Sequence, residues 1–473
     1  MAYRNLRGFL DRLEELGELH RVHPEVDPQL EIAEITDRVS KSRSGGKALL
    51  FESVKGSKFP VVTNMFGSFR RVCLALEIGD LQDLTRRMEG LFRQIPAHSA
   101  AAKLSALHDL PEFSRFAPEQ ATIGACQEVV EWSPDLARYP VLKNWSGDGR
   151  PDHDGRFITL PLVVTADPDT GDANCGMYRV EVFDGKSAGI HWRTSSGGAG
   201  HYRKYLEKGK RMPIAVAMGG SPAEIYAASV PLPLHMDEMQ LAGFLCRKPV
   251  QLVRCLTNGL RVPAEAELVL EGYLEPGELQ RGGAFGNHTG FYAAPQNVPV
   301  MHVTCITRRN EMIFPATVVG RPPMEDCYLA KATERLLLPM LRLELAEIVD
   351  INLPLEGIFH GCAMVAMEKR HSGHPREVIE ALWAKGWLAD ARLLVIVDAD
   401  TDVHDLSLIA WKVLNIVDWR RDLVVAGTER EKVPLGRLAL NATRKMNERE
   451  RREISRDRAV TQLIDKRWRE YGI

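Results

Sequence analysis

A mixed α/β architecture in several domains is what this sequence predicts, and three observations carry the prediction. The chain has 473 residues, more than a single core organises. Short apolar or alternating runs crowd its middle, separated by Gly, Pro, Asp and Asn. On both sides of that middle, helical periodicity alternates with strand-like runs. These features divide the chain into an N-terminal α/β domain over 1–115, a β-rich domain over 116–315, a C-terminal α/β domain over 316–445 and a helical tail over 446–473.

Within the first domain, Leu6, Phe9, Leu10, Leu13 and Leu16 repeat at helical spacing, with Gly17 as C-cap. Ala48–Phe51 and Pro60–Val62 read as strands and Leu81–Arg93 as a helix, and the polar, Pro- and Ala-rich stretch 96–119 reads as a linker. In the middle domain the strand candidates are 158–166, 179–183, 213–218, 250–255, 267–272 and 298–306, which suggests an antiparallel barrel or sandwich. A helix is expected near 237–245, with Met239, Leu241, Ala242 and Leu245 on its buried side. After Gly320-Arg321-Pro322-Pro323 come a helix over 329–345 broken or kinked at Pro339, strands at 363–367 and 393–397, and helices at 376–383 and 406–417. The tail is dense in charge, with a thin stripe of Ile454, Val460, Leu463, Ile464 and Trp468; such a helix docks on another subunit or lies solvated.

Composition narrows the function. Lys+Arg total 61 and Asp+Glu 63, so no basic surplus points to nucleic acid. The eight cysteines are scattered without a C-x-x-C pair, as expected of a reduced, cytoplasmic protein rather than a disulfide framework. No apolar run reaches the ~18 residues of a membrane span, so no stable membrane anchor is expected.

The chemistry concentrates between Asn174 and Gly198. N-C-G-M-Y-R (174–179) is followed by Val180-Glu181-Val182-Phe183, an Asp184-Gly185 turn, Ala188-Gly189-Ile190 and then H-W-R (191–193). That pattern predicts a hairpin bringing Asn174 and Arg179 close to His191 and Arg193. Arg guanidiniums suit phosphate or carboxylate, and the Ser195-Ser196-Gly197-Gly198 run lets backbone N–H groups approach an anion. Asn174, His191 and Glu238 together suit one hard divalent cation, with bound phosphate completing its shell. Taken singly each has a plainer explanation: a turn-forming Asn, a satisfied core His, a Glu in a helix first turn, and for Arg179 a solvated or ion-paired strand residue. The Gly282–Gly290 run matches no phosphate-loop fingerprint and reads as a tight turn. From the residues alone, a flavin enzyme and a metal-dependent hydrolase remain equally open.

Seven ordered blocks go further: N-C-G-M-Y-R, H-W-R, P-I-A-V-A-M-G (213–219), the P-L-P…D-E block (231–238), V-P-A-E-A-E-L-V-L-E-G-Y-L-E-P-G (262–277), A-F-G-N-H-T-G-F-Y (284–292) and V-V-G-R-P-P-M-E-D (318–326). Together they resemble the UbiD family, from L-R-G-F-L-D at 6–11 to D-A-D-T-D-V-H-D-L at 398–406. The resemblance implies reversible decarboxylation of aromatic and α,β-unsaturated acids on prenylated FMN, with CO2 released from a covalent adduct. It implies a central split β-barrel of flavin-reductase type and a C-terminal α/β domain used in a homo-oligomer, a dimer or hexamer. A flavin prenyltransferase supplies the cofactor. By the same resemblance Asn174 and Glu238, with His191 in some members, hold Mn2+ or Mg2+, often accompanied by K+. Met177, Tyr178, Arg179, His191, Trp192, Arg193, Ser196 and Gly197 line the flavin.

One departure stands out. The family pattern E-G-P-[FY]-G-[DE] carries an acid that pairs with the strand Arg and a second acid that donates the proton; Gly282 and Asn287 stand at those places. An amide cannot deliver a proton near neutral pH. Arg179 thus loses its expected partner, and three consequences stay open: Asn287 orients the substrate while water or His288 supplies the proton, the enzyme belongs to a branch for heteroaromatic or electron-rich substrates, or activity has been lost. The rival readings are a non-catalytic or scaffold subunit of a multi-subunit (de)carboxylase and, from the barrel, an FMN reductase.

Overall fold

The computed structural model describes all residues except 1–2, 97–98, 108, 151–152, 233–235, 359–360, 385, 427–435, 446–453, 455 and 473. The first stretch of the tail and three residues of the 231–238 block therefore lie outside the described residues.

Apolar side chains on alternate strand positions build the central layer. In Met212–Gly219, Ile214, Val216 and Met218 face one core, while Ala215 and Ala217 face the other; all five are fully buried. This strand belongs to a nine-stranded sheet. In spatial order its main path runs Phe157–Ile158, Arg179–Val182, Ser187–His191, Asn297–Arg308, Ala266–Arg281, Met212–Gly219, Pro161–Ala166 and Ala173–Gly176, with Val129–Glu131 added to Asn297–Arg308. The pairing path is open, with Phe157–Ile158 and Ala173–Gly176 at its edges, so the expected barrel is not closed by hydrogen bonds. Five of the six strand candidates of this region fall in the sheet. The sixth, Gln251–Arg254, forms a separate small sheet with Arg261–Pro263 and Glu119–Gln120.

One face of the central sheet packs on helices Leu6–Glu15, Gln82–Gln94, Glu238–Cys246 and Glu325–Glu344. The other packs on the N-terminal sheet through Leu49, Phe51, Val61 and Phe314. That N-terminal sheet has the order Leu19–Val22, Ala48–Phe51, Val61–Thr63, Phe314–Pro315; its last strand returns from far along the chain to lie parallel to Val61–Thr63. The stretch read as a linker carries two short helices, Ala100–Leu107 and Pro111–Ser114; Leu107 and Phe113 are buried, which anchors them to the core.

The C-terminal domain is a five-stranded sheet in the order Ile348–Asn352, Cys362–Met367, Leu393–Asp398, Arg437–Asn441, Leu423–Ala426, whose three inner strands are parallel. Helix His374–Ala384 covers one face through Val378, Ile379 and Leu382, and Leu406–Ile416 covers the other through Ile409. Pro339 lies inside the helix Glu325–Glu344 without ending it. In the tail, Arg458–Arg467 is helical and buries none of its residues, with Val460 and Leu463 half exposed.

Candidate functional site

A cleft of about 1810 Å³ opens between the central sheet and the C-terminal domain. Every candidate catalytic, cofactor-binding and metal-ligating residue lines it: Asn174, Met177, Tyr178, Arg179, His191, Trp192, Arg193, Ser196, Gly197, Glu238, Asn287 and His288. The C-terminal domain supplies the opposite wall, with Leu353, Gly386, Trp387 and Asp390.

The predicted hairpin forms. Arg179–Val182 pairs antiparallel with Ser187–His191, and the register sets His191 directly opposite Arg179. Val180 and Val182 point into the core, so Arg179 and Glu181 share the other face. Arg179 lies over the Phe285 ring at 4.3 Å and is partly buried, yet its Nη1 is fully buried and has no hydrogen-bond partner among the described residues. Burial pulls its pKa down to about 10; Asp148 opposes that shift and Arg193 adds to it. The guanidinium therefore stays charged at neutral pH, walled in and unpaired. An anion is what such a group lacks.

Asn174 comes from Ala173–Gly176, the strand at the far edge of the pairing path, rather than from the hairpin. Its Nδ2 donates to the Tyr178 hydroxyl at 3.2 Å, and the Gly198 N–H reaches the same oxygen at 3.4 Å. The Asn174 Oδ1 is packed against Gly197, where a Cβ would sit 2.1 Å from it. A larger residue there would displace the Asn174 side chain, and Gly197 opens the helix Gly197–Glu207, whose N-cap is Ser196. Glu238 begins its own helix behind an Asp237 N-cap, and its Oε2 accepts the Cys175 N–H at 3.0 Å. Burial pushes its pKa up to about 7 despite that hydrogen bond. A buried carboxylate next to Asn174's strand, costly to ionise without a cation, suits a divalent ion. The described residues contain no cluster of three or more His, Cys, Asp or Glu side chains gathered for a metal, so such a site depends on the Asn174 amide.

His191 lines the cleft but has one ring nitrogen committed: its Nε2 meets Glu181 Oε2 at 2.9 Å, and Phe157 packs edge-on against the ring at 5.7 Å. Asn287 folds its Oδ1 back onto Thr289, accepting from the backbone N–H at 2.8 Å and from Oγ1 at 2.6 Å. What it can offer a ligand is therefore its amide N–H.

Three acids escaped the sequence reading. Glu181 is fully buried and accepts the Gly283 N–H with both oxygens, at 3.0 and 2.9 Å. Asp148 accepts the Gly286 N–H at 2.7 Å and the Trp145 N–H at 2.9 Å; burial pushes its pKa up to about 6. Asp326 lines the cleft with Oδ2 unpartnered, and burial pushes it up to about 7. Alternation with Val180 and Val182 could have flagged Glu181 as inward-facing opposite Gly189; nothing local marks Asp148.

Models of the 3-octaprenyl-4-hydroxybenzoate carboxy-lyase domains match in order along the chain: the N-terminal domain over 10–89, the Rift-related domain over 119–322 and the C-terminal domain over 327–434. An uncharacterized protein of Archaeoglobus fulgidus is 46% identical over 426 residues, 90% of this chain and 86% of that protein. One from Synechocystis is 34% identical over 99% of this chain and 96% of its own length. Among solved structures, the UbiD-class enzyme HmfF of Pelotomaculum thermopropionicum in complex with prFMN is 25% identical, with a TM-score of 0.80 covering 97% of this chain and 98% of that one. Sedimentibacter hydroxybenzoicus vanillic acid decarboxylase, at 24% identity, shares the fold over the full length of both chains with a TM-score of 0.87. With all three family domains matched in order along the chain, it belongs to the UbiD family of flavin-dependent carboxy-lyases.

Proposed function

We propose that this protein reversibly decarboxylates an aromatic or heteroaromatic carboxylic acid on prenylated FMN, and that Arg179 is the group that receives the substrate carboxylate. The supporting observation is that guanidinium: buried, charged, stacked on Phe285 and short of one partner, at the wall of a cleft large enough for a flavin and an aryl acid together. When bound, the modified flavin supplies the electron sink for breaking the bond to the carboxyl carbon.

The chain's own residues do the rest. Asn174 and Glu238 would hold Mn2+ or Mg2+, with His191 able to join them only through Nδ1 because Glu181 engages its Nε2. The backbone N–H groups at Gly197 and Gly198 and the helix they begin favour that phosphate as well. Tyr178 and Trp192, packed edge-on at 5.9 Å, and Met177 give the flavin an apolar wall. Arg179 orients the acid and neutralises its charge. Asn287 donates its amide N–H to the substrate, and the proton that replaces CO2 comes from His288 or from water in the cleft. Asn287 itself has none to give.

Co-expression with a flavin prenyltransferase should yield protein with a non-native flavin absorbance and stoichiometric divalent metal. Under anaerobic conditions that protein should exchange CO2 or deuterium into some member of an aryl-acid panel. Protein that takes up no flavin under those conditions overturns the proposal, as does flavin-loaded protein that oxidises NAD(P)H and exchanges nothing.

A further inference from the structure

Glu181 stands one layer behind the wall of the cleft, wholly buried. Its carboxylate bridges two elements. One is the hairpin's second strand, through His191 Nε2 at 2.9 Å; the other is the glycine run after Ala266–Arg281, through the Gly283 N–H at 3.0 and 2.9 Å. There is room for this bridge because residue 282 has no side chain: a Cβ there would lie 2.9 Å from Glu181 Oε2 and 2.8 Å from His191 Cε1. The run is held at its other end by Asp148, whose Oδ1 accepts the Gly286 N–H, and in between by paired hydrogen bonds of Gly149 with Ala284. Two buried acids from outside the run thus pin it, and it bears none of its own between Gly282 and Asn287.

We propose that Glu181 is a positioning residue of the reaction centre. It fixes the imidazole of His191 and seats the Gly282–Asn287 run, so that Asn287 and His288 line the cleft on the side of Arg179. With the Glu181 oxygen as acceptor in this contact, the His191 Nε2 carries the hydrogen and Nδ1 is the nitrogen left with its lone pair. A strand carboxylate thus occupies the space beside position 282 without pairing with Arg179, and its place there requires glycine at 282. This inference rests on the carboxy-lyase reading of the cleft, but its first readout does not.

The test begins with flavin-free protein labelled with 15N-histidine, its His191 signals assigned by loss in His191→Gln. At mildly alkaline pH, wild type should show His191 protonated on Nε2. In Glu181→Gln one amide oxygen faces two donors, Gly283 N–H and His191 Nε2–H, so the imidazole hydrogen should move to Nδ1. In the flavin-loaded protein the same variant should lose about tenfold or more of its CO2 exchange, the scale of second-layer substitutions, with flavin content unchanged. The reciprocal pair guards against simple misfolding: Gly282→Glu and Glu181→Ala should each lower the melting temperature, and the double variant should recover most of that loss. Three results overturn the proposal: His191 spectra identical in wild type and Glu181→Gln, a tautomer shift with full exchange retained, or additive losses in the double variant. Wild type that exchanges no CO2 would instead count against the carboxy-lyase chemistry, while the tautomer and pairing results would still decide whether Glu181 positions His191 and the run.

Discussion

Arg179 sets the terms of this site, because a buried guanidinium without a partner is destabilising until something anionic arrives. Arg179→Met should therefore raise the melting temperature of the empty protein, by a stability gain on the order of 1 kcal/mol, while lowering kcat/KM by roughly 10²-fold. Calorimetry and CO2-exchange rates on the same preparation check both signs. Asp148 yields a pH prediction. Its folded pKa of about 6 lies above the ordinary 3.8, so folded protein takes up a proton that unfolded chain releases across that window. The burial cost is fully present above about pH 6 and relieved as pH falls toward 4. The stability of Asp148→Asn relative to wild type should thus be most favourable at pH 7 and decline on acidification, by on the order of 3 kcal/mol at most; melting curves across pH 4–7 read the trend. For Asn287, Asp keeps the acceptor that Thr289 uses, whereas Ala abandons both hydrogen bonds. Asn287→Asp should hold the turn and alter rate or substrate range on an acid panel; Asn287→Ala should lower the melting temperature as well. The sequence located these chemical groups because they sit in ordered blocks, but it could not show that Glu181 and Asp148 stand in behind them. Both act through backbone N–H groups of a distant glycine run, and such contacts leave no residue-type signature.

At the level of elements, the hairpin and the helix Gly197–Glu207 are the working parts. The Asp184-Gly185 turn between two apolar runs was enough to predict the hairpin, and the observed register puts Arg179, Glu181 and His191 on one face. The helix after it was not foreseen, since Gly197, Gly198 and Gly200 argue against a helix by propensity alone. Packing explains the glycines: a Cβ at 197 meets Asn174, and one at 198 meets Tyr178 and Trp192 at 2.9–3.1 Å. Gly197→Ala should therefore keep the helix yet displace Asn174. The expected result is near-normal circular dichroism with loss of both bound manganese and flavin absorbance. Strands Ile348–Asn352, Leu423–Ala426 and Arg437–Asn441 were missed for another reason. They are short, and they are recruited by a sheet whose parallel core was visible only at Cys362–Met367 and Leu393–Asp398.

For the molecule as a whole, the cleft exists only where the central sheet faces the C-terminal domain, so the spacing of those two bodies governs access. The outer side of the C-terminal domain carries Trp411, half exposed, and Leu414, 73% exposed, one helical turn apart, with Trp419 close by in sequence. An apolar face of this kind is expected at the contact of a homo-oligomer. Trp411→Glu combined with Leu414→Glu should reduce the molar mass measured by light scattering and leave flavin binding per chain unchanged. No helix among the described residues is long and apolar enough to cross a membrane.

The strand Phe314–Pro315 closes the edge of a sheet whose other three members are finished by Thr63. A nascent chain emerging from the ribosome must therefore carry an open strand edge through the synthesis of some two hundred and fifty further residues. The N-terminal segment is a domain by composition but not by completion. Truncations ending before Phe314 should expose Val61–Thr63 to self-association, and the whole protein should acquire its first sheet late, with slow, non-local closure as its kinetic signature.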